Sequence, residues 1–263
     1  MAINLQLAGK IAVVTGGSRG IGAAIAQELA RQGIDLLLTG TSDADLAKVA
    51  ADIRSATARR VCVFGADLAS PRAGNDIIDA AISAFGQVDI VVNCAGATRS
   101  GHVLEMGDND WQRAFAIKFH GTLRMCRAAW PHLRRSKGSI AIIAGNTART
   151  GRFDYAINGS VNAALLNLTK ALSDLGTREG VRVNAINPGR FATRRLSAAL
   201  ERIVDRDHVD EETARKRLLD ASGIPRFGDP VEIGWLVAYL SSKCAEFIQG
   251  AVIDIDGGET RAV

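Results

Sequence analysis

The sequence predicts an α/β fold, a doubly wound parallel sheet of about seven strands with helices on both faces. Short β-branched runs alternate with segments of helical length along the whole chain. The composition, 47% apolar and 23% charged residues, suits a globular chain with a large core. Neither a linker nor an internal repeat interrupts the pattern, so the 263 residues are predicted to form a single domain.

The composition also excludes several classes of protein. It does not fit disordered, collagen-like or coiled-coil chains. The net charge is +4 with both signs interspersed, so a nucleic-acid partner is not expected. No stretch is apolar enough to span a bilayer, so no membrane partner is expected. Four separated cysteines without a CxxC pair indicate reduced thiols, and we expect a cytoplasmic protein.

The predicted elements follow one another along the chain. Strands are expected at residues 11–15, 35–39, 60–64, 89–93, 139–144, 182–187 and 251–256. The clearest helical segments are residues 20–32, 43–58, 109–129 and 154–178. Prolines stand at expected helix or turn boundaries, as their missing N–H requires: Pro71, Pro188 and Pro230.

Residues 190–222 differ in composition from the rest of the chain. They are charge-dense, helical in propensity and longer than a crossover between two strands needs. An insertion of this kind at the carboxyl edge of a sheet is a natural substrate lid. The alternative is a solvated helix pair with no such role.

A glycine-rich loop follows the first predicted strand and opens the first helix. It reads Thr15-Gly16-Gly17-Ser18-Arg19-Gly20-Ile21-Gly22. Glycines permit a tight turn and close approach of the backbone, and a free helix N-terminus offers N–H groups to a phosphate. This strand–turn–helix context predicts a Rossmann-type site for the pyrophosphate of a dinucleotide.

The glycine spacing resembles that of the short-chain dehydrogenase/reductase family. The resemblance covers essentially the whole chain through Asp67-Leu68, Asn93-Cys94-Ala95-Gly96, Asn187-Pro188-Gly189 with Thr193, Pro225-Arg226-Phe227-Gly228 and Asp256-Gly257-Gly258. It implies a single dinucleotide-binding domain over residues 1–263. It also implies an NAD(P)-dependent oxidoreductase that interconverts an alcohol and a carbonyl by hydride transfer.

The resemblance also implies which residues bind the cofactor. Asp67 would contact the adenine, residues 93–96 would line the cleft, and residues 188–193 would hold the nicotinamide amide. The complete expected set is Gly16, Ser18, Arg19, Gly20, Ile21, Gly22, Thr41, Ser42, Asp67, Leu68, Asn93, Ala95, Gly96, Pro188, Gly189 and Thr193.

The end of the second strand predicts the choice of cofactor. An acidic residue there would bind the ribose 2′-hydroxyl and repel a 2′-phosphate. This chain has Thr39-Gly40-Thr41-Ser42 instead, and Arg19 is within reach of the same corner. NADP(H) is therefore favoured and NAD(H) remains possible. In the alternative interpretation, Arg19 is a solvated loop residue.

The family's chemistry depends on four side chains. A Tyr exchanges a proton with the substrate oxygen, and a Lys one helical turn later binds the ribose and lowers the Tyr pKa. A Ser polarises the carbonyl, and an Asn on the preceding long helix supports a proton-relay water. A free phenol titrates near pH ~10, so its use at neutral pH needs about three units, or roughly 4 kcal/mol, of charge stabilisation.

The catalytic positions depart from this pattern. Tyr155 matches the Tyr, but Gly159 stands where the Lys is expected. The usual Ser falls in Ala144-Gly145-Asn146, and the loop to Tyr155 is about three residues shorter than usual. Lys118 replaces the Asn. The catalytic candidates are thus Tyr155, Lys118 and Asn146 in a rearranged site.

Lys118 is informative without the family. It lies in the middle of an apolar stripe at helical spacing, formed by Trp111, Phe115, Thr122, Met125 and Ala129. A lysine there needs a partner, a route to water or a depressed pKa. We expect it to enter the gap at Gly159 beside Tyr155. The alternative is that Lys118 extends to solvent and Gly159 allows close helix packing.

Other candidates are weaker. The four histidines lack metal-ligand spacing, so no metal site is expected: His102, His120, His132 and His208. Six arginines in loops at the carboxyl edge are candidates for binding a substrate anion: Arg99, Arg149, Arg152, Arg190, Arg194 and Arg195.

Three functions remain open. The first is a small-molecule oxidoreductase that uses NADP(H), which retention of Tyr155 favours. The second is a catalytically silent NADP(H)-binding sensor or partner subunit, which loss of the Ser and Lys favours. The third is a non-redox lyase or epimerase on this fold. The apolar helices at residues 109–129 and 154–178 further predict a homo-oligomer, a tetramer or a dimer.

Overall fold

The computed structural model describes residues 4–96 and 99–261. Seven parallel strands form one sheet in the order β3-β2-β1-β4-β5-β6-β7. The strands are β1 (Ile11–Thr15), β2 (Asp35–Gly40), β3 (Val61–Gly65), β4 (Ile90–Asn93), β5 (Ser139–Ile143), β6 (Arg182–Pro188) and β7 (Val252–Ile255). The chain reverses its direction of winding between β1 and β4, and ligands of such sheets bind at the carboxyl ends on either side of that point.

Helices cover both faces of the sheet, which confirms the predicted fold class. They are α1 (Gly20–Arg31), α2 (Asp43–Thr57), α3 (Ala73–Phe85), α4 (Asp108–Ala114), α5 (Gly121–Ser136), α6 (Ala156–Glu179), α7 (Arg194–Asp207), α8 (Glu211–Ser222) and α9 (Pro230–Ser241). One apolar core joins α1, α2 and α9 to the sheet, and a second joins α3, α5 and α6 to its other face. Within the described part of the chain, none of the helices has the length and apolarity that crossing a bilayer requires.

The first strand illustrates why the sheet forms in the interior. Ala12 and Val14 belong to the core on one face, whereas Val13 belongs to the core on the other. All three are fully buried. Burying a valine side chain contributes about 1.5–3 kcal/mol, so apolar residues on both sides of a strand favour a central position.

Capping residues set the helix starts. Ser42 accepts a hydrogen bond from the Asp45 N–H at the start of α2. At α9, Asp229 and Glu232 form a reciprocal capping box, and Pro230 occupies the first turn, where its missing N–H costs nothing. These local signals set where α2 begins after β2 and where α9 begins after the loop that follows α8.

The helix expected at residues 109–129 has a different form. A π-helical segment, Phe115–His120, separates α4 from α5, and α5 continues to Ser136. The two sides pack against different neighbours: Trp111 and Ala114 pack with residues of α6, whereas Met125 joins the core beneath α3. π-Helical turns inside helices occur frequently at functional sites.

Residues 190–222 fold into the helix pair α7 and α8. The pair has an apolar cluster of its own, made of Leu196, Leu200, Ala214, Ile224 and Phe227. The chain segments before and after the pair, here called its stems, are joined by two hydrogen bonds. The Gly228 N–H donates to the Arg190 carbonyl and the Ala192 N–H donates to the Gly228 carbonyl, each across 2.9 Å. The division into domain and lid is not decided by this geometry and stays a prediction.

Candidate active site

The glycine loop after β1 is packed too closely for side chains. A Cβ on Gly16, whose φ is +68°, would lie 2.9 Å from the Cα of Ala95. A Cβ on Gly22 would lie 2.1 Å from the Gly16 carbonyl oxygen. The loop therefore needs these glycines to bring the N-terminus of α1 to the carboxyl edge of the sheet, where its free N–H groups suit a pyrophosphate.

The loop after β4 is held against the glycine loop by Thr15. The Thr15 hydroxyl accepts the N–H groups of Cys94 and Ala95 at 3.0 and 3.1 Å. Asn93 lies at the buried end of β4, where its Nδ2 donates to the Cys126 sulfur at 3.7 Å and its Oδ1 has no partner among the described residues. The backbone of Ala95 thus lies against Gly16, and the assignment of Ala95 and Gly96 to the cofactor stays a prediction.

The loop after β6 closes the other side of this cleft. A Cβ on Gly20 would lie 3.6 Å from the Thr193 methyl group, so the loops after β1 and β6 meet here. A Cβ on Gly189 would lie 2.6 Å from the Asp256 Cβ, which explains why the position after Pro188 carries no side chain. The structure therefore brings the expected pyrophosphate and nicotinamide residues to one edge.

An open cleft of about 490 Å³ lies beyond the ends of β2 and β3. Its lining residues are Thr41, Asp43, Gly65, Ala66, Asp67 and Arg113. Asp67 accepts the Ala69 N–H at 2.9 Å, which fixes its carboxylate beside the cleft. This is where the resemblance places adenosine, so the cleft suits the Asp67 and Thr41 assignments.

The remaining adenosine-side candidates divide into two groups. The Ser18 hydroxyl lies 3.4 Å from a Cβ built on Gly40, so it reaches the end of β2, and exposed Arg19 precedes α1. The Ser42 hydroxyl oxygen accepts the hydrogen bond that caps α2, so Ser42 would interact with a ligand as an O–H donor. The Leu68 side chain points into the core against Gly121, which leaves only its backbone for the cofactor.

Lys118 projects from the π-helical segment to the carboxyl end of β5. Its ammonium donates to the Asn162 Oδ1 at 2.5 Å and to the Ala144 carbonyl oxygen at 2.8 Å. Asn162 in turn donates from Nδ2 to the Thr147 hydroxyl at 2.9 Å. The aliphatic stem lies along Gly96, where a Cβ would be 3.0 Å from the Lys118 Cδ. Lys118 thus joins α6, β5 and the cofactor cleft.

The surroundings of the ammonium disfavour its charge. Lys118 as a whole is half-buried, but its ammonium lies deep in the protein. Burial, together with the positive charge of Arg195, lowers its pKa from 10.5 to about 8, and the Cys94 thiol acts in the opposite sense. Burial also raises the pKa of Cys94 to about 12, so this thiol stays neutral and offers no full counter-charge.

The expected pairing of Lys118 with Tyr155 in the gap at Gly159 is wrong. Within 4 Å, a Cβ on Gly159 would meet only the backbone of Thr147, so Lys118 does not enter that gap. Tyr155 precedes α6 with its ring 5.2 Å from the Arg152 guanidinium. The reason is that Asn162, one turn further along α6, offers the ammonium an oxygen acceptor.

Asn146 also turns away from Lys118. It donates to the Glu259 carboxylate at 2.9 Å, and the same carboxylate pairs with Arg190 at 3.0 Å. Asn146 therefore lies beside Glu259 of the C-terminal segment and Arg190 of the loop after β6. Its catalytic role stays a prediction, as does that of Tyr155.

Sequence reasoning missed Asn158 and Asn162. The two residues are four apart on α6, so they share one face of that helix. Both are buried, and Asn158 donates to the Ser100 hydroxyl at 3.4 Å while its own Oδ1 has no partner among the described residues. A signal for both existed in the sequence, since the loop before Tyr155 is about three residues too short.

The cleft supports binding of a dinucleotide but gives no sign of a metal. The glycine positions leave a cradle that side chains would fill, and an orphaned buried oxygen of Asn93 lies beside it. Over residues 4–96 and 99–261, no three His, Cys, Asp or Glu side chains are grouped to hold a metal ion. The fold and site together define a dinucleotide-binding α/β protein of the Rossmann type.

Comparisons with known proteins extend this class to a family. The sequence model of the family described as enoyl-(acyl carrier protein) reductase matches residues 16–260. An uncharacterized oxidoreductase of Mycobacterium tuberculosis is 36% identical over 97% of this chain and 94% of its own length. Versicolorin reductase of Emericella nidulans is 33% identical over 98% of both chains.

A solved structure agrees with these relatives. L-Sorbose reductase from Gluconobacter frateurii, complexed with NADPH and L-sorbose, superposes with a TM-score of 0.95 at 27% identity, over 99% of this chain and 100% of that one. The chain belongs to the short-chain dehydrogenase/reductase family and is an NAD(P)-dependent oxidoreductase of that family, as its relatives' names and the NADPH-bound neighbour indicate.

Proposed function

We propose that this protein is an NADP(H)-dependent oxidoreductase that interconverts an alcohol and a carbonyl in a small molecule. The observation that carries this proposal is the buried Lys118 ammonium, bonded to Asn162 at the edge where the glycine loop and the ends of β4, β5 and β6 meet. A proton-bearing group at the nicotinamide end of a dinucleotide cleft is what reduction of a carbonyl requires. The cofactor, when bound, supplies or takes up the hydride.

Preference for NADP(H) rests on the corner at the end of β2. Arg19 and Ser18 lie on the glycine-loop side, and Thr41 stands where an acidic residue would exclude a 2′-phosphate. Asp43 also lines this cleft and opposes an anion. Its carboxylate lies 2.3 Å from a Cβ built on Gly65, so it is directed toward β3. The L-sorbose reductase neighbour, which holds NADPH, supports the same preference.

The catalytic set is rearranged in a specific way. If the family's Tyr and Lys positions are counted three residues further along the chain, the shortened loop regains its usual length. The two positions then fall on Asn158 and Asn162, and the Ser position falls on Gly145. Lys118 stands at the family's Asn position, so Lys and Asn have exchanged places between the two helices. The contact at 2.5 Å between Lys118 and Asn162 supports this register.

Further parts of the proposal concern the whole molecule. The helix pair α7 and α8, with its own apolar cluster and joined stems, would act as a substrate lid over residues 190–222. Exposed Trp235, Tyr239 and Phe247 suit a homo-oligomer, a tetramer or a dimer. Four cysteines without disulfides suit a cytoplasmic location.

A second function is favoured by one observation. In the later register the family's Tyr position carries Asn158, which has no acidic proton, and the Tyr155 ring lies against Arg152, outside the described contacts of Lys118. A catalytically silent protein that binds NADP(H) as a sensor or partner subunit would need no proton donor.

The deciding experiment separates binding from turnover. We would titrate the protein with NADPH by calorimetry and follow NADPH oxidation with L-sorbose and a panel of cyclic and polyhydroxylated ketones. Binding together with reduction of a ketone would support the proposal. Binding without turnover of any carbonyl, or of any alcohol with NADP⁺, would indicate the silent protein. Absence of binding would contradict both functions.

A further inference from the structure

We propose that Lys118 is itself the proton donor to the substrate oxygen, in place of a tyrosine, and that the Asn158 amide holds that oxygen. This inference rests on the proposed function, because it assigns the proton in the same carbonyl reduction.

The first argument concerns the hydrogens of the ammonium. An ammonium has three N–H donors, and two of those on Lys118 are directed at Asn162 and Ala144. Both acceptors are neutral oxygens that fix the position of the nitrogen without taking its proton. The third N–H is not used in these two bonds and is free to donate to a ligand that reaches the ammonium.

The second argument concerns Asn158. It is 7% exposed, and its Oδ1 has no partner among the described residues. Rotating the amide by 180° would let the Ser100 hydroxyl donate to Oδ1 and would place Nδ2 where the unpartnered oxygen now lies, since the two amide orientations differ only in hydrogen bonding. Asn158 lies one helical turn from Asn162, which holds the ammonium. A carbonyl oxygen between the two residues would receive one N–H from each.

The third argument concerns the space around the ammonium. Gly145, at the end of β5, has no side chain, and a Cβ there would lie 2.7 Å from the Asn162 Nδ2. A serine at this position would therefore displace the amide that holds Lys118. The Tyr155 ring lies with Arg152. Among the described groups, Lys118 is thus the proton-bearing side chain bonded to both the end of β5 and α6.

The proton and electron balance is complete with the cofactor. The new C–H bond takes its electron pair from the hydride of the reduced cofactor. The π pair of the carbonyl moves onto oxygen, and an O–H bond forms as one N–H bond of Lys118 breaks. Lys118 is left as a neutral amine, still held by Asn162, and takes a proton from water before the next turnover.

The electrostatics of the site suit this role. Arg195 from α7 and Cys94 from the loop after β4 are the titratable groups that act on the ammonium. Burial and Arg195 bring the pKa of Lys118 to about 8, close to the pH at which a general acid is most effective. A substrate oxygen that gains negative charge would be stabilised by the same ammonium.

The test combines turnover with direct titration of the lysine. We would measure kcat for a ketone from the panel against pH in the parent, Lys118→Met, Lys118→Arg and Tyr155→Phe, with Lys170→Met and Tyr239→Phe as matched controls. The Lys118 side-chain resonance, assigned by its loss in Lys118→Arg, would be followed by NMR against pH with NADPH bound. Circular dichroism and NADPH affinity would show that each variant is folded.

We expect Lys118→Met and Lys118→Arg to lose on the order of 10²–10⁴-fold in kcat with NADPH affinity retained. Arginine keeps the charge but does not release a proton at neutral pH. The parent's kcat for reduction should fall as pH rises through the midpoint of the Lys118 resonance. Asn158→Leu should lose about 10²-fold, as for an oxyanion donor.

Three results would overturn the inference while leaving the proposed function intact. They are turnover within threefold of the parent in folded Lys118→Met, loss of turnover in Tyr155→Phe, and a kcat profile that does not follow the lysine resonance. A parent that binds NADPH but reduces no carbonyl would instead contradict the proposed function, and the inference with it.

Discussion

The Lys118 ammonium and the Asn162 amide oxygen are 2.5 Å apart, and this contact joins the π-helical segment to α6. A hydrogen bond from a charged donor contributes about 1.5–3 kcal/mol when both partners are well placed. Here it also fixes the direction of a buried cation at the cofactor cleft. The geometry of the site therefore depends on how the π-helical segment and α6 are held together.

The Lys118 charge should be visible in the pH dependence of stability. Its pKa is about 8 in the folded protein and 10.5 in the unfolded chain, so the unfolded state binds more protons between these values. The contribution of Lys118 to the free energy of unfolding therefore rises with pH between these values. It increases by roughly 2–3 kcal/mol from pH 7 to pH 10.

Urea unfolding of the parent and Lys118→Met at both pH values measures this. The difference between the two proteins is the informative quantity, because the raised pKa of Cys126 acts on both alike, lowering stability above pH 9. A difference that is the same at pH 7 and pH 10 would show that Lys118 titrates normally.

Arg19→Ala should weaken NADPH binding by about 1–3 kcal/mol and leave NADH binding nearly unchanged, because a charge-assisted contact to the 2′-phosphate is lost. Calorimetric titration with both cofactors measures the two affinities. Arg178→Ala, which removes an exposed arginine on α6, is the control. Equal losses for the two cofactors, or tighter NADH binding in the parent, would remove the assigned role of Arg19.

Gly22→Ala should reduce NADPH affinity by at least about tenfold and lower stability by about 1–3 kcal/mol. The reason is the 2.1 Å approach of a Cβ to the Gly16 carbonyl, which would push the loop from the N-terminus of α1. Gly107→Ala is the matched control, since a Cβ there meets nothing within 4 Å and its φ is −76°. Parent-like NADPH affinity in Gly22→Ala would mean that the cradle is not the cofactor site.

Trp235→Glu combined with Phe247→Glu should reduce the size of the assembly. Trp235 on α9 is 56% exposed and Phe247, shortly before β7, is fully exposed, and a second copy would cover them. Light scattering at micromolar concentration gives the mass. Val63→Glu, at the opposite edge strand β3, should leave it unchanged. A parent of about 28 kDa, the mass of one chain, would exclude an oligomer.

The sheet was predictable because its strands are apolar on both faces. β1 has the predicted bounds, residues 11–15, and β7 is one residue shorter than predicted at each end. The glycine loop was predictable for a related reason. Close backbone approach admits only glycine at Gly16 and Gly22, so the sequence records the geometry directly.

The partner of Lys118 was not predictable to the same degree. Because it is a tyrosine, Tyr155 was assigned to the family's Tyr position. It lies three residues before the position that gives the loop its usual length. Three residues on a helix are nearly one turn, so the wrong register still places a small residue, Gly159, on nearly the correct side. The loop length favours the later register, and the distance from Lys118 to Asn162 supports it.

The π-helical segment has a consequence for how this chain can vary. A π turn contains one more residue than an α turn, and each residue of an α-helix rotates the next by about 100°. Deleting one residue of Phe115–His120 would remove the π turn and leave a continuous α-helix with Met125 still directed at the core, because the π turn absorbs one extra residue. The helix therefore has two hydrophobic phases, and Lys118 lies at the boundary where one changes into the other.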